Sequence, residues 1–65
     1  MRKLGRRLSK LRVEKGLSIG DLASLTALEP NDIDKIEAGE LDIPLTAIFA
    51  LARALGTTPA QLLSY

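Results

Sequence analysis

Ser18 to Glu40 reads SIGDLASLTALEPNDIDKIEAGE. It divides into two short apolar-periodic segments with a turn between them. Ser18 stands as the N-cap of the first segment, and Asp21, three residues on, completes a short capping box. Leu17, Leu22, Ala23 and Leu25 supply its apolar face, and it should end near Thr26. Pro30 suits the first position of the second segment, where a missing N–H needs no partner. Ile33 and Ile36 point inward at i, i+3, and Gly39 closes the element before a loop at residues 40–44. Two helices joined so tightly predict a helix-turn-helix unit.

The flanks extend the helical pattern. Upstream, Leu4, Leu8 and Leu11 recur at i, i+4, i+7, which predicts a helix over about residues 3–15 that Gly16 ends. Downstream, Leu45, Ile48, Phe49, Ala52 and Leu55 form the longest apolar stripe, and Gly56 terminates it. Thr58-Pro59-Ala60-Gln61 is then a helix start, with Thr as N-cap, Pro at N1 and Gln at N3. It opens a last short helix carrying Leu62 and Leu63. No strand pattern, repeat or linker interrupts the chain. The expectation is an all-α, five-helix single domain over residues 1–65. Its core should hold Leu8, Leu11, Leu22, Ile33, Ile36, Ile48, Phe49, Ala52 and Leu55.

A chain of 65 residues buries only about 60% of its unfolded surface. It has no cysteine and no histidine, so neither a disulfide nor an ordinary zinc site supports it. Stability must come from helix packing. No apolar run reaches membrane-spanning length, and no apolar h-region follows the basic N-terminus. A soluble cytoplasmic protein is expected.

Catalysis finds no footing. There is no Gly-rich phosphate loop, and Ser9, Ser18, Ser24 and Ser64 have no base in a known arrangement. Asp32, Asp34 and Glu37 do not fit the calcium-loop spacing with its central glycine. The expectation is a protein with no enzymatic activity, no metal and no small-molecule cofactor.

The charge is strongly segregated. Residues 1–15 carry Arg2, Lys3, Arg6, Arg7, Lys10, Arg12 and Lys15 against Glu14, a net +6, whereas residues 16–65 are −5. A basic segment of this density points to an anionic partner.

Three stretches together, LRVEKGLSIGDLA (residues 11–23), IDKIEAGE (33–40) and ALARALGTTPAQLL (50–63), resemble the lambda-repressor-like (XRE-type) helix-turn-helix family. The likeness covers about residues 3–63. It implies a regulator of transcription that binds double-stranded DNA, with its third helix in the major groove. It places Leu22, Ala23, Leu28, Ile33 and Ile36 at buried positions of the unit. It makes Arg12 and Glu37 a pair that ties helix 1 to helix 3, and Ser18 and Ile19 the start of helix 2. Pro30, Asn31, Asp32, Asp34 and Lys35 fall on the exposed reading face. Asn31 is the first choice of base reader, because Asn bonds adenine at two atoms, and Lys35 the second.

This chain departs from the family at several places. Ile19 stands where Gln is frequent, Ala27 where the turn usually has Gly, and Glu29 where a small capping residue is usual. Asp32 and Asp34 replace neutral donors on the reading face. Phosphate contacts supply most affinity in such complexes, and carboxylates cannot make them. Part of the acidity has a structural use: anions in the first turn suit the helix dipole, and Glu37 is engaged by Arg12. Arg6 and Lys10, in line with Arg2, are the phosphate contacts expected from helix 1, with Lys3 and Arg7 on a second stripe. Family members commonly pair through their C-terminal region, so a homodimer is expected, with Ile43, Leu62, Leu63 and Tyr65 as its apolar group. The rival expectation is a helix-turn-helix fold that serves as a protein-interaction module or engineered scaffold and binds DNA weakly or not at all.

Overall fold

Residues 2–64 are described by the computed structural model, Arg2 by its backbone alone. They form α1 (Arg2–Glu14), α2 (Ile19–Thr26), α3 (Pro30–Glu37), α4 (Leu45–Ala54) and α5 (Pro59–Leu62), with no strand among the described residues. The expected capping box closes α2. The Ser18 hydroxyl accepts from the Asp21 N–H at 3.0 Å, and Asp21 Oδ2 accepts from the Ser18 N–H at 3.0 Å. At α5, Thr58 accepts from the Gln61 N–H at 3.1 Å. The Gln61 side chain does not reach back to its cap but accepts from the Thr57 hydroxyl at 2.7 Å.

Three of the helices stop in the same way. Gly16, Gly39 and Gly56 adopt φ of 71°, 76° and 68°. The N–H of each following residue bonds a carbonyl five positions back: Leu17 to Arg12 at 3.1 Å, Glu40 to Lys35 at 2.8 Å and Thr57 to Ala52 at 2.9 Å. This is the glycine-ended Schellman closure. The end of α2 lacks a glycine, and Ala27 takes the left-handed conformation there, at φ 60°.

One core unites the helices. Leu4 and Leu8 of α1, Leu22 of α2, Ile33 and Ile36 of α3, Ile48, Leu51 and Ala52 of α4, Leu55 and Leu62 are buried together. Leu11 is half-buried against this cluster. Three expectations fail. Phe49 is 53% exposed, Leu45 63% and Leu25 60%. The α4 sequence LTAIFALARA is apolar nearly all round, so periodicity alone does not choose its inner face. Packing against α2 and α5 chooses Ala47, Ile48, Leu51 and Ala52, and turns Leu45 and Phe49 outward. In α2 the same packing uses Leu22 and Ala23 and leaves Leu25 in solvent. The expected apolar interface group also divides. Leu62 is fully buried and Ile43 packs on the core, Leu63 is exposed, and Tyr65 lies outside the described residues.

Candidate nucleic-acid interface

The outer face of α3 is set by what its inner face buries. With Ile33 and Ile36 in the core, Asn31, Asp34 and Lys35 stand in solvent on the other side, and Pro30 is exposed at the helix start. Asp32, in the first turn, is only partly exposed.

The C-terminal end of α3 is tied to α1 in two ways. Arg12 Nε donates to Glu37 Oε2 at 2.7 Å and Nη2 donates to Glu37 Oε1 at 3.2 Å, a two-bond fork. A third nitrogen, Nη1, donates to the Leu17 carbonyl at 2.8 Å, so one side chain joins α1, the α1–α2 turn and α3. Its bond to Glu37 holds the guanidinium above its already high ordinary pKa, and the side chain stays charged. The pair expected between Arg12 and Glu37 is therefore formed, with side chains 14% and 10% exposed. Beside it, Gly5 is buried where a Cβ would lie 2.5 Å from the carbonyl oxygens of both Ile36 and Glu37. Only a residue without a side chain lets α1 sit this close to the end of α3. Sequence reading does not single out Gly5, because its neighbours lie more than thirty positions away.

The N-terminal end of α3 is held less firmly. Glu29 occupies the N-cap position with extended backbone and makes no side-chain capping bond. Its carbonyl accepts from the Asp32 and Ile33 N–H groups at 3.0 and 3.1 Å. Ser18, at the start of α2, is exposed and occupied with its own cap. Bonds from the Ser18 backbone N–H, and secondarily its hydroxyl, hold the Asp21 carboxyl below the usual range.

Arg6 and Lys10 belong to a different helix. They are exposed on α1 and, with Lys3 and Arg7, line an open cleft of ≈ 300 Å³. At 100° per residue the middle of that stripe lies roughly 160° around α1 from the side where Gly5 and Arg12 meet α3.

The match to known proteins covers the same residues. A family model described as a helix-turn-helix domain aligns with residues 3–64. The restriction-modification controller protein C.AhdI from Aeromonas hydrophila is 39% identical, with a TM-score of 0.92 over 94% of this chain and 92% of that one. The clp gene regulator ClgR from Corynebacterium glutamicum is 26% identical, with a TM-score of 0.92 over 95% of this chain and 66% of that one. In a structure of the SinR–SinI complex, a chain 24% identical has the same fold, at a TM-score of 0.87 over 94% of this chain and 60% of that one. No curated protein matches the chain.

Proposed function

This chain belongs to the helix-turn-helix domain family, of the lambda-repressor-like type, and from that premise we propose how it acts as a DNA-binding transcriptional regulator. The first turns of α3 enter the major groove. Asn31 bonds an adenine edge, Lys35 takes a phosphate or a guanine, and Asp34 accepts from a cytosine amine. Pro30 and Ser18, at the starts of α3 and α2, lie against the backbone. The observation that carries this reading is the division of α3 itself: Ile33 and Ile36 are buried while Asn31, Asp34 and Lys35 are exposed on a helix anchored at its far end. In this reading the protein has no catalytic role, and it works in the cytoplasm, where it meets its DNA.

The acidity of α3 limits affinity and does not abolish it. Like charges about 4 Å apart repel by roughly 1 kcal/mol in water and several times that near a protein surface. Asp32 is partly withdrawn and Glu37 is bound by Arg12, which leaves Asp34 as the exposed carboxylate of the reading face. Replacing Asp32 with Thr and Asp34 with Ser removes two repulsions and touches no core residue. In titrations against a random duplex pool, binding should tighten at least about tenfold, which corresponds to about 1.4 kcal/mol. Failure of both parent and variant to bind any duplex at low salt would overturn the reading.

The regulator acts as a homodimer, with its two α3 helices about 34 Å apart on a two-fold site. Leu45 and Phe49, one turn apart on the outside of α4, and Leu63 just after α5 give the apolar surface for pairing. Sedimentation should show a species of about twice the 7.0 kDa chain mass. Phe49→Lys should convert it to monomer and leave the fold intact.

A further inference from the structure

The cleft on α1 has no part in the α3 surface, and its chemistry is uniform. Lys3, Arg6, Arg7 and Lys10 line it, and no carboxylate is among them. Among the described residues the only ion pair is Arg12–Glu37, so none of the four is paired with a carboxylate of those residues. Arg7 is half-buried, and its Nε is buried with no hydrogen-bond partner among the described residues.

From these observations we infer that the α1 cleft is a second, sequence-independent binding site for the phosphate backbone of duplex DNA. The stripe from Lys3 to Lys10 is about 10.5 Å long, enough to meet more than one phosphate of a strand that advances about 3.4 Å along the duplex axis per charge. The stripe lies roughly 160° around α1 from the side that packs on α3, turned away from that contact. The cleft takes a second duplex segment, or the flank of one that bends around the protein. A bilayer surface suits it less well. A helix lying on a membrane needs an apolar face to insert, and α1 offers none: Leu4 and Leu8 are buried, Leu11 packs against the core, and Val13 alone is exposed. The site itself stands on the α1 geometry; only the identity of its partner rests on the DNA-binding reading.

The test is retention of a random-sequence duplex between 50 and 200 mM salt by the parent and by the Lys3→Gln/Lys10→Gln variant. Both lysines are exposed, and circular dichroism verifies that the variant is folded. Each phosphate contact contributes about 0.9 to the slope of log K against log[salt]. Across that range the parent should therefore lose roughly tenfold more affinity than the variant. Arg53→Gln, an exposed cation on α4, should leave the slope unchanged. An unchanged slope in the lysine variant overturns the inference even where Lys35→Gln weakens binding. Loss of binding in the lysine variant with no effect of Lys35→Gln or Asn31→Ala keeps the cleft and removes α3 as the reader. No retention of duplex by the parent at 50 mM overturns the inference. So does tighter retention on phosphatidylserine vesicles than on duplex, and so does loss of self-association, rather than of duplex, in the variant.

Discussion

The two ends of α3 are held by different means. At the C-terminal end, Gly5 brings α1 against the last carbonyls, the Arg12 fork grips Glu37, and Gly39 closes the helix. At the N-terminal end, Glu29 gives no side-chain cap, and the turn before it runs through a left-handed alanine. The firm end is the one turned to the protein. The loose end carries Pro30 and Asn31, and residues at the start of a recognition helix are the ones that meet base edges.

The largest expected effect is at the fork. Glu37→Ala leaves the Arg12 guanidinium partly buried and unpaired against α3. The loss should be about 3 kcal/mol, the low end for a buried pair, because both side chains keep some solvent contact. Arg12→Met combined with Glu37→Leu replaces the pair with apolar groups of similar size and should recover much of that loss. The recovery is incomplete because Arg12 also holds the Leu17 carbonyl. Thermal melts of the single and double variants decide it: strict additivity would mean that the pair does not couple α1 to α3.

Gly5→Ala comes next and tests the same end through packing. At an open helix position this change stabilises by up to about 1 kcal/mol. Here the new Cβ meets backbone oxygens at 2.5 Å, so α1 must lift from α3. The expected result is a loss of about 1–3 kcal/mol, read from urea midpoints. A gain in stability would show that the two helices do not touch.

How much of this was legible in the sequence follows from the range of each interaction. The Ser18–Asp21 box and the three closing glycines are local, and residue type at fixed spacing is enough to place them. The Arg12–Glu37 pair spans 25 positions and entered only through the family resemblance. Gly5 gave no signal, because a glycine inside a helix looks like a weakness until its neighbour is known. In α4 the pattern is ambiguous: it points Phe49 inward, whereas Leu51 fills the core. On the outer face of α3, Asn31, Asp34 and Lys35 are as exposed as expected. Arg6 and Lys10 share a stripe on α1, and its separation from the α3 side follows once Gly5 and Arg12 are known to mark that side.

The smallest effect is at the loose end. Ala27 is the only non-glycine among the described residues with positive φ, a conformation that costs an L-residue roughly 1–2 kcal/mol. The turn tolerates it because Thr26 does part of the closing work: its hydroxyl donates to the Leu22 carbonyl at 2.8 Å and accepts from the Leu28 N–H at 3.4 Å. Ala27→Gly removes the strain but adds freedom to the unfolded chain, worth about 0.4–1 kcal/mol the other way. The balance is a gain of about 0.5–1 kcal/mol, which raises Tm by about 2–8 °C in a domain of this size. Ala27→Val should lower Tm, because a branched side chain fits the left-handed region worse than alanine. The sign of the glycine change carries the argument. A rise shows that the turn into α3 stores strain that the closure at Gly39 does not. A fall or no change would mean that Thr26 alone defines the turn, and the contrast between the two ends of α3 would then lie in the missing Glu29 cap.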